Sequence, residues 1–209
     1  MNISTIFAFL ASLCWLFVVV MIGVVVMRSA RQLPNKGLMP LLIGAIIGAL
    51  VLSTVGAGVV FIEPDQLAVI ITVAQGGIRP DPLLAGIHFV IPFIERVERF
   101  SILRQTYTMS SVEGEGQVTG DDSIQVRTKD GQMVYVDATV IYSINPAHAV
   151  SLYKTWRNGY EEGLVRPQSR GVIRDVSSQF GVEEIVSSRR AEMEKLITDQ
   201  LATIFEEND

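Results

Sequence analysis

Apolar residues occupy this chain in two regimes. Residues 2–27 and 38–62 are long uncharged runs, whereas from Glu63 onward apolar positions come in short, patterned groups. A helix rises about 1.5 Å per residue and a bilayer core is about 30 Å thick, so about 20 apolar residues cross it. Both runs exceed that length. A backbone in lipid must satisfy its own hydrogen bonds, so both are expected to be helices in spite of their β-branched residues. The first run lacks a basic leader and is too long for a cleaved signal peptide, which is the competing reading. Pro40, Gly56 and Gly58 leave a re-entrant hairpin as the competing reading of the second.

Past the second run the pattern turns to strands. Residues 67–73 (LAVIITV) form a continuous apolar run closed by Gly76 and Gly77, as expected of a strand buried on both faces. Residues 87–91 read as a second strand, and residues 97–108, with Phe100, Ile102 and Leu103, as a third. Residues 110–122 (SSVEGEGQVTGDD) are polar and glycine-rich, which predicts a solvated loop or an edge excursion. Residues 123–127 and 132–144 flank Lys129-Asp130-Gly131, a tight-turn signal. In the second of these, Val134, Val136, Ala138, Val140, Tyr142 and Ile144 share one face. Met133, Tyr135, Asp137, Thr139, Ile141 and Ser143 share the other.

The period then becomes helical. Asn145-Pro146 predicts an N-cap and first turn of a helix running to about Trp156. A second helix is expected from Pro167, with Val172, Ile173, Val176 and Phe180 on its apolar face and Gly181 as its stop. A third is expected from Ser187 or Ser188. Its apolar positions, Met193, Leu196, Ile197, Leu201, Ile204 and Phe205, are spaced three and four apart. No Gly or Pro stops it before Asp209, so the helix is expected to continue in the natural protein. Strands followed by helices read as α+β. The expected divisions are 1–27 and 38–62 as spans, 28–37 as loop, 63–186 as the globular domain and 187–209 as the start of a long helix.

Charge adds an orientation. The loop 28–37 carries Arg28, Arg31 and Lys36 and no acid. Basic residues beside spans stay cytoplasmic, so the N-terminus and the domain after residue 62 are expected outside the cytoplasm. All 22 acids lie after residue 62, giving that part a net charge of −8. Such a surface does not suit nucleic acid or anionic headgroups. The one cysteine, Cys14, lies in the first run, so no intrachain disulfide supports the fold.

Three segments carry a resemblance. Val69 to Val73 with Gly76-Gly77 leads to AGIHFVIPFIERV (85–97), then come TKDGQMVYVDATVIYSI (128–144), RGVIRDV (170–176) and VEEIVSSRRAEMEKLITDQL (182–201). In this order after a membrane anchor, the chain resembles the SPFH family, also called band 7 or prohibitin-homology proteins. Ala85 stands where that family usually has proline. Two apolar runs replace the usual single anchor, and the acidic loop 110–122 is longer than usual. The resemblance implies a non-enzymatic scaffold without a cofactor. Such scaffolds assemble with copies or paralogues into rings or cages that enclose membrane lipid and particular membrane proteins, and some relatives bind membrane-bound AAA-type proteases. An inner-membrane, multi-pass location follows from the same resemblance and the charge rule.

No catalytic set stands out. His88 and His148 lie apart, no soluble cysteine exists, and Ser110-Ser111 has no nearby His or Lys. A membrane hydrolase is thus the weakest reading, and a sensor that signals through its spans is the main competitor to the scaffold. The acids Glu113, Glu115, Asp121 and Asp122 lack the spacing of a calcium loop. Arg166, Arg170 and Arg174 line one helix side. They read either as a solvated face with partners such as Glu162, or as a basic stripe in which Arg170 and Arg174 meet Glu183 or Glu184 of a neighbouring subunit. Met193, Leu196, Ile197, Leu201, Ile204 and Phe205, with the strand face of Met133, Tyr135 and Ile141, are the other expected subunit contacts. Gly44, Gly48, Ala45, Ala49, Ser53 and Ala57 form small-residue rows that are expected to pack against the first span.

Overall fold

The computed structural model describes residues 3–73 and 77–208, in two compact units that divide after Arg99. The first contains α1 (Ile3–Ala30), α2 (Leu38–Gly58), β1 (Val59–Ile62), β2 (Gln66–Thr72), β3 (Gly77–Ile78), β4 (Gly86–Phe89) and most of β5 (Glu95–Ser101). The second contains β6 (Gln105–Met109), β7 (Ile124–Arg127), β8 (Met133–Val136), β9 (Ala138–Tyr142), α3 (Ala149–Trp156), α4 (Arg166–Ser177) and α5 (Arg190–Glu207). Strands followed by helices, behind two apolar helices, make the fold α+β.

In the first unit α1 and α2 pack against each other. Both are long and apolar enough to cross a membrane. The expected span to residue 62 is too long: the helix ends at Gly58, and Val59–Ile62 is strand β1, paired antiparallel with β4. A Cβ at Gly58 would lie 2.5 Å from the Phe89 ring, so glycine is what lets β4 approach the helix end. β2 is the central strand of a three-stranded sheet in the order β3-β2-β5. Leu67, Ala68, Val69 and Ile70 are fully buried in succession, which is why that run is apolar on both faces. Gly76, expected to close it, lies outside the described residues.

The second unit is a ribbon of two pairs, β6 with β9 and β7 with β8, covered on one face by α4 and α5. The single strand expected over 97–108 is two strands, β5 and β6. The strand expected over 132–144 is interrupted at Asp137, whose carboxylate accepts from the Ser111 amide (3.0 Å) and hydroxyl (3.1 Å). The two-face pattern holds across the break: even-numbered residues from Val134 to Ile144 face inward, and odd-numbered ones from Met133 to Ser143 are exposed. Gly131, at φ +80°, makes the turn between β7 and β8.

One core cluster joins Tyr107, Met109, Ile124 and Val126 of the strands to Val165 and Ile173. A second holds Val172, Val176 and Phe180 against Met193 and Leu201. Each large side chain buried here contributes about 1.5–3 kcal/mol. Helix starts differ from expectation. Asn145 Oδ1 accepts from the Ala147 amide (3.1 Å) in a turn, so α3 begins at Ala149. π-helical turns, Glu161–Val165 and Glu184–Ser188, precede α4 and α5, so α5 begins at Arg190.

Candidate functional site

The membrane-anchoring surface is assembled in the first unit. Ala11, Val18 and Met21 of α1 are buried, as is Ala49 of α2. The Trp15 indole N–H donates to Ser53 Oγ at 3.0 Å between the helices. Gly56 takes the Phe7 side chain so closely that a Cβ there would lie 2.9 Å from Phe7 Cβ. The small residues are thus divided. Ala49 is buried, and Ala45 and Ser53 are half-buried. Gly44, Gly48 and Ala57 are exposed, and a Cβ at either of those glycines would touch nothing. Gly44 and Gly48 therefore do not form the intrachain contact expected of them, because a four-residue row drifts around a helix and only one row can face α1.

Arg28, Arg31 and Lys36 lie exposed at and beyond the end of α1. Arg28 reaches the Pro34 carbonyl at 3.5 Å, and Asn35 donates to Ser29 Oγ at 2.7 Å, which folds the connection into a short turn.

An apolar rim adjoins α2. Val59, the first residue after the helix, pairs with Phe89, which leads into the segment Ile91, Phe93, Ile94. All four of Phe89, Ile91, Phe93 and Ile94 are exposed, as are Ile87 and Leu84. Phe93 is 97% exposed and sits at φ +68°. Arg79 and Glu95 pair at 2.6 Å, and Glu95 also accepts from the Ile91 amide (2.7 Å), bracing this loop. Apolar side chains held out beside a helix long and apolar enough to cross a membrane form a surface suited to the headgroup–acyl boundary.

In the second unit the arginine stripe faces the protein's own loop. Asp122 is 4% exposed and accepts from Arg166 Nη2 (2.5 Å) and Arg170 Nη1 (2.8 Å). Arg170 also donates to the carbonyls of Asp122 and Ser123, and Arg174 to that of Gln125 (3.3 Å). Glu162 stands 3.9 Å from Arg166 and accepts from the Tyr107 hydroxyl at 3.0 Å. Burial, together with that carboxylate, pushes the Tyr107 phenol up to about 12. The expected solvated loop is therefore anchored at both ends, with Ser110 and Asp122 buried. Sequence reasoning named Asp122 only among the loop acids and missed it as the partner of the stripe. Its signal was the stripe itself, since three like charges on one helix side call for an acid.

The remaining expected contact residues on α5 divide in the same way. Met193 and Leu201 are buried in the core, and Ile197, Ile204 and Phe205 pack partly against it. Leu196 is exposed, as are Met133, Tyr135 and Ile141. A groove of about 1010 Å³ runs between strand residues 135–143 and α5. Among the described residues no group of three or more His, Cys, Asp or Glu side chains is placed to hold a metal. His88 Nε2 lies 2.7 Å from the Leu84 carbonyl, and Ser110 donates to Glu115 (3.2 Å).

The profile of the SPFH domain / Band 7 family matches residues 60–207, from β1 through α5. Prohibitin-2 of Gallus gallus is 29% identical over 162 residues, 77% of this chain and 48% of that protein. Prohibitin-2 of Dictyostelium discoideum is 23% identical over 125 residues, 60% of this chain and 38% of that protein. Prohibitin-3, mitochondrial, of Arabidopsis thaliana is 24% identical over 127 residues, 61% and 41% of the two chains. The matched part thus spans less than half the length of these curated relatives. With more than two thirds of its length in the profile, behind two apolar helices, this membrane-associated chain belongs to the SPFH domain / Band 7 family.

Proposed function

We propose that this protein is an oligomeric membrane scaffold. The observation that carries the reading is the seating of the strand unit on the anchor. β1 starts at the residue after α2, with no linker, and its partner β4 leads into the exposed apolar rim from Phe89 to Ile94. A unit attached in that way rests on the bilayer surface and cannot swing away from it. Residues 63–186 serve as the globular domain and 187–209 as the start of the assembling helix. Copies of this chain, or of it and a paralogue, build rings or cages that organise a lipid patch. Membrane-bound AAA-type proteases are the proposed clients, and the chain itself is proposed to perform no catalysis.

The proposed orientation places the basic turn with Arg28, Arg31 and Lys36 in the cytoplasm and the strand units outside it, in a cell inner membrane. Many weak contacts add up when subunits are held on one surface, so each interface can be modest. The test is the particle mass of the full chain in mild detergent, by imaging and mass photometry. Closed assemblies of many subunits are the expected result. Monomers overturn the scaffold and favour the sensor.

A further inference from the structure

We infer that the turn between α1 and α2 binds the headgroup of an anionic phospholipid, with Arg28, Arg31 and Lys36 around its phosphate. This rests on the membrane reading of the two helices and deepens the scaffold reading by naming the lipid class held. Both helices are long and apolar enough to cross a membrane, so the turn that joins them lies at headgroup level. Residues 1–62 contain those three charged side chains and no acid. Other arginines of the chain have acids: Arg79 has Glu95, Arg170 has Asp122 and Arg189 has Glu192. Here Arg28 has a neutral partner, the Pro34 carbonyl, and among the described residues no acid pairs with Arg31 or Lys36. The nearest acid in sequence, Glu63, follows a 21-residue helix about 30 Å long.

The fold gathers the three charges. The Leu33 amide donates to the Arg28 carbonyl (2.9 Å) and the Gln32 amide to that of Ser29 (3.0 Å), with Gln32 at φ +55°. Asn35 clamps the other side. Its side chain donates to Ser29 Oγ at 2.7 Å, and its carbonyl accepts from the Leu38 amide (3.0 Å). The cations are therefore held on one short turn, and binding does not have to order the backbone that carries them. Helix dipoles do not neutralise them, because the negative end of α1 and the positive end of α2 meet at the turn and offset each other. Two phosphate oxygens match a guanidinium in bidentate geometry. The headgroup of phosphatidylglycerol leaves its phosphate charge for the turn, whereas choline or ethanolamine brings a cation of its own against three others. Leu33 and Met39, 47% and 48% exposed beside these cations, offer apolar contact to acyl chains, which a free phosphate lacks.

The test mixes the full chain in mild detergent with equal parts of phosphatidylcholine and phosphatidylglycerol and counts retained lipids by native mass spectrometry. Phosphatidylglycerol is expected to be retained over phosphatidylcholine by at least about 5-fold. Arg28→Gln, Arg31→Gln and Lys36→Gln are each expected to lower that ratio roughly 2- to 5-fold, and each leaves two cations to keep the orientation. Lys195→Gln, which removes an exposed charge from α5, is expected to leave the ratio unchanged. Asn35→Ala keeps every cation but releases the clamp, and is expected to lower the ratio roughly 2-fold. Equal retention of the two lipids overturns the site. So does a ratio that Lys195→Gln lowers as much as the turn variants do, or that Asn35→Ala leaves unchanged, since net charge then suffices. Displacement of the lipid by inorganic phosphate at matched ionic strength assigns the turn to the free anion and overturns the lipid. Particle mass is read on the same samples. Large assemblies without a lipid preference overturn this site and leave the scaffold standing, whereas monomers that keep the preference support the site and overturn the scaffold alone.

Discussion

The Asp122 carboxylate and the Arg166 guanidinium, 44 residues apart in sequence, meet at 2.5 Å where the loop before β7 crosses the first turn of α4. Arg170 completes the arrangement from one turn further on. Removing the acid leaves two neighbouring arginines, 31% and 25% exposed, without it. Breaking a well-buried pair costs about 3–5 kcal/mol, and partial exposure of the arginines reduces that here. Asp122→Ala is expected to lower stability by about 2–3 kcal/mol and to make the loop 110–122 more protease-sensitive. Urea unfolding and limited proteolysis of the full chain in detergent measure both. A loss below about 0.5 kcal/mol is the outcome that contradicts the anchor.

Gly181 is held against Asp130. A side chain at Gly181 would collide with the Asp130 carboxylate, which accepts from the Val182 amide at 3.1 Å, while Lys129 N–H donates to the Phe180 carbonyl at 3.0 Å. Gly181→Ala is expected to cost about 1–3 kcal/mol. Asp130→Ala should relieve part of that clash, so the double variant should be less destabilised than the sum of the singles. A double-mutant cycle by urea unfolding decides, and strict additivity rejects the contact.

The two faces of α2 predict opposite responses. Gly56→Val pushes Phe7 away and should loosen α1 from α2 by about 1–3 kcal/mol. Gly48→Ala meets nothing and should leave the pair unchanged. Ser53→Ala removes the Trp15 hydrogen bond, a loss of about 0.6 kcal/mol by the average of such bonds in membrane proteins. Cys14, half-buried in α1, is the reporter. Its thiol should label several-fold faster in Gly56→Val, on the order of the change in pairing, and at the parent rate in Gly48→Ala. Equal rates in all variants contradict this helix packing.

Acid should act first at the junction leading into α5. The Gly181 amide and then Arg189 hold Glu184 below the usual glutamate range, and Arg189 does the same for Glu192. Arg189 also lies 4.8 Å over the Phe180 ring, tying the junction to the core. A carboxylate whose folded pKa is depressed adds stability that is fully present above its ordinary value of 4.5. That stability is lost as pH falls through the lower folded values. Hydrogen exchange in residues 182–192 should therefore speed up, beyond the chemical pH effect, below about pH 4.5. Glu184→Gln with Glu192→Gln should flatten that dependence, and an unaltered profile refutes the assignment.

What was legible in the chain is what repeats locally. Two runs of apolar residues announced α1 and α2. Alternation from Val134 to Ile144 announced which face of the ribbon is inward, and three-four spacing announced the apolar side of α5. Periodicity reports only which side chains share a face, so it found these without knowing their partners. The tertiary structure decided the partners. It gave Ala49 and Gly56 to α1 and left Gly44 and Gly48 open, because a straight helix shows a neighbour only one stripe. It ended α2 at Gly58, since Val59 to Ile62 gain a strand partner in β4 that no local pattern reveals. It broke the long strand at Asp137, where a carboxylate bonds the loop residue Ser111. It turned the arginine stripe inward onto Asp122, a contact that closes a loop of more than forty residues. Such long-range pairings depend on how elements come together in space, and residue order along the chain alone leaves them undetermined.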